Sequence, residues 1–347
     1  MGASTVTSAP ADLTVVVLAY GDEPYLGAAV GAALDSRDVS LRMVVVDNGC
    51  TTDAVERLPD DPRVTVLRPG RNLGFTGGVD LGARDVTTPY LALLNSDAVP
   101  RPDTFARLVA TLRDEPDVGI AGALVVLADE PQTVNSAGNP LHVLGLSWAG
   151  SMGTPAADAA GVRDVASASG ACLVLPTAWW RELGGFPVEY FAYLEDLELG
   201  WRTWQHGRRV VVVGEAVAAH HYEFGRSPLK MYLVERNRLL LLLTTMQRRT
   251  LLLLAPPLLA FEAAIALVAV LQGWGRAKVR GWGWVLRHGG WIRARRRVVQ
   301  GSRTVRDRDL AHLMTDRFEP AQMPLPASAA PLERVLQLYW RAVRRAL

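Results

Sequence analysis

The sequence predicts an α/β protein built on a mostly parallel sheet, and three observations carry that prediction. Runs such as "LTVVVLA" (13 to 19) and "LRMVVVD" (41 to 47) are continuously β-branched and do not alternate, which marks strands covered on both faces. Segments of helical period separate those runs, the order expected of strand-helix-strand crossovers. The chain has 347 residues, 49% of them hydrophobic, enough for one large domain or two ordinary ones.

Taken in order, strands are predicted over 13 to 19, 41 to 47, 64 to 68, 90 to 95 and 118 to 126. Helices are predicted near 24 to 35, 75 to 86 and 102 to 115. Such sheets bind ligands at the carboxyl ends of their strands, where Tyr20, Asp47, Asn48 and Asp97 fall. Residues 127 to 166 are rich in Gly, Ala, Ser and Pro with little periodicity, which predicts a long loop region over the site. Order returns with a strand over 170 to 176, a helix starting at Thr177 and the turn "ELGGFP". A helical stretch follows, with Leu194, Leu197, Trp201 and Trp204 at helical spacing, and then the strand "RRVVVVG".

Lys and Arg number 37 against 35 Asp and Glu, so net charge gives no reason to expect a nucleic-acid partner. The distribution is less even. Between Gly273 and Arg306 there are ten Lys or Arg and no acid, directly after the most apolar stretch, which is a membrane-surface pattern. That stretch, Leu251 to Gln272, would reach about 33 Å as an unbroken helix, just enough to span a bilayer. Pro256 and Pro257 should break it, and Glu262 at its centre would cost about 2.5 to 3.5 kcal/mol in lipid. Basic residues flank both ends, so a single pass would send a basic tail outward, against the positive-inside tendency. In-plane or re-entrant helices are therefore expected, with a buried helical hairpin as the plainer alternative. Trp274, Trp282, Trp284 and Trp291, interleaved with arginines, suit the headgroup layer.

The chain then divides into a disordered leader (1 to 11), a catalytic α/β domain (12 to 237), apolar and basic membrane-associated helices (238 to 306), and a tail (307 to 347). The tail comprises a Pro/Ala linker over 319 to 331 and a basic helix. Two cysteines without metal spacing suit a reducing compartment, and the leader lacks the features of a secretion signal. The expected place is the cytoplasmic face of the cell membrane.

Several short stretches carry chemistry. In "LLNSDAVP" (93 to 100) an apolar strand ends in Asn95, Ser96 and Asp97 before a proline. A carboxylate there can hold a divalent cation together with substrate phosphates, although the same letters also spell an ordinary turn. "YLEDLELGWR" places Glu195 and Asp196 at a helix start, where either could act as a general base or simply complement the helix dipole. His220 and His221 end an apolar segment, and beside Asp97 one of them could complete a metal shell. The glycines of "RNLGFTGGVDLG" (71 to 82) allow close backbone approach to a ligand, but the dinucleotide fingerprint is not met.

"VVVLAY", "VVVDNGC", "RNLGFTGGVDLG", "LLNSDAVP", "SAGN", "SGACLVLP", "LGGFPVEYFAYLEDLELGWR" and "AHHYEFGRS" follow one another in an order that resembles inverting family-two glycosyltransferases of the GT-A fold. The likeness is to the bacterial rhamnosyltransferase and galactofuranosyltransferase branch and covers about residues 12 to 240. It implies that Tyr20, Asp47 and Asn48 bind the nucleotide, and that Asn72, Gly74 and Phe75 line the donor pocket, with Asn95 close by. It further implies that Asp97 binds Mg²⁺ or Mn²⁺ with the diphosphate, that His220 lies at the metal, and that Asp196 of the acid pair is the base. Arg236 and Asn237 resemble a recurrent Arg-Asn pair near the site. Asn95 and Ser96 depart from the family's more acidic metal motif, Asp80 stands where Asn is usual, and Cys50 where Ser is usual.

The function so implied is transfer of a sugar, L-rhamnose from dTDP-rhamnose in the first instance, to a lipid-linked or glycan acceptor in cell-envelope polysaccharide synthesis. The donor would be a dTDP- or UDP-sugar. A catalytically inactive membrane-associated scaffold of the same fold is one alternative. A nucleotidyltransferase is another, but "LAYGDEPYLGAA" lacks the glycine-rich basic triphosphate loop it would need.

Overall fold

The structure is a computed structural model that describes residues 11–221, 225, 227–319, 321 and 330–347. The expected leader, apart from position 11, and most of the Pro/Ala linker lie outside the described residues. The first half runs β1 (Leu13–Gly21), α1 (Leu26–Leu34), β2 (Leu41–Cys50), β3 (Val64–Leu67), α2 (Gly74–Ala83), β4 (Tyr90–Asn95), β5 (Ala98–Pro100), α3 (Thr104–Asp114) and β6 (Val118–Leu127). Three short strands follow, β7 (Val134–Ser136), β8 (Leu141–His142) and β9 (Val162–Asp164), and then β10 (Cys172–Pro176), α4 (Thr177–Leu183), α5 (Glu195–Gln205) and β11 (Arg209–His220).

The main sheet has the order β3-β2-β1-β4-β10-β6-β11-β5. The ladders β2 with β3, β1 with β2, β1 with β4 and β6 with β11 are parallel, while β10 runs antiparallel between β4 and β6. Strand β1 shows why its sequence is continuously apolar: Leu13, Val15 and Val17 enter the core under α1 and α3, and Val16 enters the core under α2, α4 and α5. The glycines of 71 to 82 serve this packing. A Cβ on Gly78 would meet Leu18 at 2.1 Å and one on Gly82 would meet Val16 at 2.6 Å, so α2 lies close on β1 because those side chains are missing. Close approach at these two glycines is to the sheet, the structural role open to a glycine-rich turn.

The remainder is helical: α6 (Pro228–Thr245), α7 (Arg248–Leu271), α8 (Gly275–Arg287), α9 (Gly289–Ser302), α10 (Asp307–Leu310), the short strand β12 (Met314–Thr315) and α11 (Ala330–Ala346). Ser227 caps α6 by accepting from Lys230 N at 3.1 Å, with Pro228 in the first turn. Strand β12 pairs in parallel with β8, tying the tail to the region between β6 and β10.

Two expectations about the apolar segment change. Pro256 and Pro257 lie inside one continuous α7 of 24 residues and do not break it. Pro257 removes the donor that Leu253 O would receive, and the Tyr339 hydroxyl of α11 donates to that carbonyl at 2.6 Å instead. Glu262 faces protein, where it accepts from Lys278 at 2.9 Å, from Trp282 Nε1 at 2.8 Å and from Arg238. Glu235 completes the set, with Lys278 at 2.5 Å and Arg238 at 3.2 Å. Two acids and two bases thus join α6, α7 and α8. The opposite side of α7 is bare, with Leu252, Leu259 and Leu271 each more than 70% exposed.

Candidate active site

The carboxyl ends of β1, β2 and β4 carry the first group of expected residues. Tyr20 is 57% exposed, and its ring lies over Gly49. Asp47 Oδ1 accepts from the N–H groups of Gly49 (3.2 Å) and Cys50 (3.0 Å), and Arg68 stands 3.5 Å from Oδ2. Burial pushes the Asp47 carboxyl up, but these N–H donors and Arg68 outweigh it and hold the group below its usual range. Asn48 is buried and bonds inward, donating to Asn72 Oδ1 and Gly74 O and accepting from Leu73 N. Asn72 also accepts from Gly74 N at 2.7 Å. Asn48 and Asn72 therefore shape the loop before α2, and Gly74 begins that helix at φ +73°. Phe75 is partly buried against the core beside Phe186. Asp80 accepts from Phe186 N, and burial pushes its carboxyl up to about 6.

Asp97 follows β4 at the tight turn into β5, and β5 pairs with the end of β11, which delivers His220. His220 Nε2 lies 3.0 Å from Asp97 Oδ1, and His220 Nδ1 lies 3.0 Å from Asn135 Oδ1. A cation held by both groups would take the place of the Nε2 proton between them, while the Nδ1 proton donated to Asn135 would keep the Nε2 lone pair directed at the metal. The carboxylate oxygen is a donor suited to Mg²⁺ or Mn²⁺, the imidazole nitrogen adds to it, and Asn135 fixes the ring by accepting from its other nitrogen. The Asp97 side chain remains 36% exposed, leaving its other flank open to substrate oxygens. The residues present fit a divalent cation completed by phosphate. Among the described residues no cluster of three or more His, Cys, Asp or Glu could hold a metal without such help. Glu23 sits beside this pair: it accepts from Tyr20 N at 2.7 Å and bonds Ser96, and burial raises its carboxyl. Asn95 donates its backbone N–H to Ala171 O at 2.9 Å. His221 stacks on Tyr25 with ring centroids 3.7 Å apart, and its N–H donates to Asp97 O.

Glu195 and Asp196 open α5. Asp196 Oδ2 accepts from Asn139 Nδ2 (3.0 Å) and Gly170 N (3.2 Å), and Oδ1 accepts from Leu197 N (2.7 Å). Glu195 Oε2 is buried and has no hydrogen-bond partner among the described residues. Burial raises both carboxyls; Asp196 also raises Glu195, whereas the three donors oppose the rise at Asp196. Asp196 is thus the member of the pair whose ionised form is supported.

The chain enters α5 by an unusual route. Phe191, Tyr193 and Leu194 have φ of 64°, 73° and 66°. Phe191 (ψ −56°) is the centre of a γ-turn closed by Ala192 N to Tyr190 O at 2.7 Å. Non-glycine residues held this way cost about 1–3 kcal/mol each. Arg236 and Asn237, both buried on α6, spend their polar atoms on this segment: Arg236 on the carbonyls of Glu189 and Tyr190, Asn237 on those of Tyr190, Ala192 and Tyr193.

The Asp97–His220 pair and the acid pair share one string of contacts. From Asp97 it passes through His220 to Asn135, and from Ser136, next in the chain, through Asn139 to Asp196. The structure brings Asp97 and His220 into contact and links them to Asp196 through Asn135, Ser136 and Asn139, while Asn48, Arg236 and Asn237 bond into the protein. Sequence reasoning missed Glu23, Asn135, Asn139 and Gly170. Asn139 and Gly170 fall in "SAGN" and "SGACLVLP", stretches that carried the family likeness without a role for either residue, and Asn135 lies directly before the first.

Comparison with known proteins places this geometry. Residues 10–240 match the family model described as Glycosyltransferase like family 2. The N-acetylglucosaminyl-diphospho-decaprenol L-rhamnosyltransferase of Mycobacterium tuberculosis is 28% identical over 244 residues, covering 62% of this chain and 78% of that protein. The succinoglycan biosynthesis protein ExoO of Rhizobium meliloti is 35% identical over 101 residues, covering 28% and 29%. Among solved structures, GalNAc-T7 with UDP, GalNAc and Mn²⁺ aligns at TM-score 0.57 and 15% identity, covering 69% of this chain. This chain spans only about half, 48%, of that one. The mannosyltransferase PcManGT of Pyrobaculum calidifontis, with GDP-Man and Mn²⁺, aligns at TM-score 0.51 and 16% identity, covering 97% and 86%. These structural likenesses bear on the fold, which is the GT-A type. The family match spans most of the chain and every residue of the candidate site, and the protein belongs to Glycosyltransferase like family 2.

Proposed function

We propose that this protein is an inverting glycosyltransferase that moves L-rhamnose from a dTDP donor to a lipid-linked or glycan acceptor in cell-envelope polysaccharide synthesis. The observation that supports the reading is the string of contacts joining Asp97 and His220 to Asp196, because it links the residues suited to a diphosphate site with the residue suited to accept a proton. The rhamnosyl choice draws on the mycobacterial relative, which is a rhamnosyltransferase acting on a lipid diphosphate. Mg²⁺ or Mn²⁺, held by Asp97 and His220, would offset charge on the departing diphosphate as a Lewis acid. Tyr20 and Asp47 receive the nucleotide base at the mouth, and Asn95 with the loop around Asn72, Gly74 and Phe75 borders the donor. Asp196 takes the proton of the acceptor hydroxyl as that oxygen attacks the anomeric carbon in line with the leaving group.

Asp97→Ala should then weaken binding of Mn²⁺ and of dTDP together, by at least about tenfold, the equivalent of about 1.4 kcal/mol. Calorimetric titration with unchanged affinities for both would count against this role.

The same reading puts the protein on the cytoplasmic face of the membrane. In support, α7 presents a bare apolar side, and exposed Val279 and Leu286 on α8 stand among exposed Arg276, Arg280 and Arg287. Vesicles containing anionic lipid should co-sediment the protein, and neutral vesicles should do so less, increasingly so as salt is lowered. Equal partitioning to neutral and anionic vesicles at every salt concentration would sink the electrostatic part of this placement.

A further inference from the structure

Arg236 and Asn237 take no part in the chemistry just proposed, yet they are the most heavily bonded polar side chains on α6. Asn237 Nδ2 donates to three carbonyls, those of Tyr190 (3.0 Å), Ala192 (2.8 Å) and Tyr193 (2.8 Å). Its Oδ1 accepts from Arg236 Nε at 3.0 Å and Nη2 at 2.9 Å, so the two residues form one unit. Arg236 Nη2 adds bonds to Glu189 O (2.7 Å) and Tyr190 O (2.8 Å). The guanidinium itself is held between the rings of Tyr232 and Trp284, 5.1 and 4.9 Å from their centroids.

These carbonyls lie along the run 189–194, which leads into the acid pair and holds the left-handed residues Phe191, Tyr193 and Leu194. From the other side Phe191 O accepts from Thr76 N at 3.1 Å, and a Cβ on Gly74 would meet that oxygen at 2.5 Å. The run is therefore caught between the donor-side helix α2 and the pair on α6. A segment with three non-glycine residues at positive φ does not keep that path unaided, since extended or right-handed conformations are open to each of them. When it relaxes, the start of α5 moves, and with it the carboxylate of Asp196.

We infer that Arg236 and Asn237 are positioning residues: they hold residues 190–194 in a left-handed path that aims the Asp196 carboxylate at the acceptor hydroxyl. This rests on the reading of Asp196 as the base. It also makes α6 the part of the fold through which the helical layer, by way of Trp284, reaches the reacting atoms.

The experiment uses the full chain and the nucleotide sugar that the wild type consumes fastest in a panel of dTDP-, UDP- and GDP-sugars. Asn237→Asp keeps the size of the side chain and the acceptor for Arg236 but removes the donor to the three carbonyls. It should lower kcat by about ten- to a hundredfold, with the donor KM changed less than about threefold, because a misplacement near 1 Å costs that much. Adding Tyr193→Gly, which makes positive φ inexpensive at that position, should restore most of the loss. An unchanged kcat, a kcat and KM that worsen together, or a failure of Tyr193→Gly to restore turnover would overturn the inference. Should Asn237→Asp not fold, Arg236→Lys with the same partner substitution takes its place under the same criteria. Asp196→Asn run in parallel separates the two claims. Retained turnover there overturns the base assignment and this inference with it, whereas loss there beside a normal Asn237 variant overturns the positioning role alone.

Discussion

Asp196→Asn is expected to lower turnover by about 10²–10⁴-fold while nucleotide binding stays within about twofold of wild type, because it removes only the proton acceptor. The structure explains why the substitution should be clean. Two of the three donors on the carboxylate are backbone N–H groups, of Gly170 and Leu197, and the third is the Asn139 side chain. An amide of the same size keeps an oxygen for one side of this cradle, so the start of α5 retains its anchor. None of these contacts belongs to Tyr20 or Asp47, where the donor is proposed to bind. Turnover and calorimetric dTDP affinity, measured on the same preparation, check both halves. Near-normal turnover would remove Asp196 from the base role, and a parallel loss of dTDP affinity would point to a distorted cleft.

Glu262→Leu should destabilise the protein by about 3 kcal/mol, the lower end for breaking a buried ion pair, since Glu262 keeps 18% side-chain exposure. A reading of the segment as lipid-embedded gives the opposite sign, because an acid in hydrocarbon is a liability that leucine would relieve. The structure decides for destabilisation. Lys278 and Arg238 are almost completely buried and have Glu235 as their other carboxylate, so the substitution strands one positive charge among three helices. Denaturant unfolding in detergent-free buffer reads the difference directly. A variant as stable as wild type would mean that the four charges contribute no net stability.

Much of the domain was legible. Strands covered on both faces announce themselves by continuous apolar runs, and β1, β2, β4 and β6 were all placed within a few residues of where they lie. Strands β7, β8 and β9 were not, because two or three residues are too few to show a period, and the partners of β8 and β9 lie far along the chain. That omission concealed Asn135 and Asn139, the link between the two halves of the candidate site. The acidic and histidine residues were visible because charge at the end of an apolar run is rare and needs a reason. The left-handed run before α5 gave no such sign: Phe191, Tyr193 and Leu194 are ordinary letters, and only their backbone angles set them apart. Glu262 is a related case, since sequence reports that a charge exists and leaves out which neighbours face it.

The two prolines of α7 have an effect on which surroundings that helix tolerates. Hydrocarbon offers no proton to a main-chain oxygen, so a proline-interrupted helix immersed alone would carry a dry, unanswered carbonyl worth several kcal/mol. The phenol of Tyr339 answers the one at Leu253 from a neighbouring helix that brings its own apolar flank, Leu332, Val335 and Leu338. Pro256 leaves the Leu252 carbonyl without its helical donor as well, so oily surroundings penalise α7 beside α11 less than α7 alone, and α11 acts as a chaperone that never leaves.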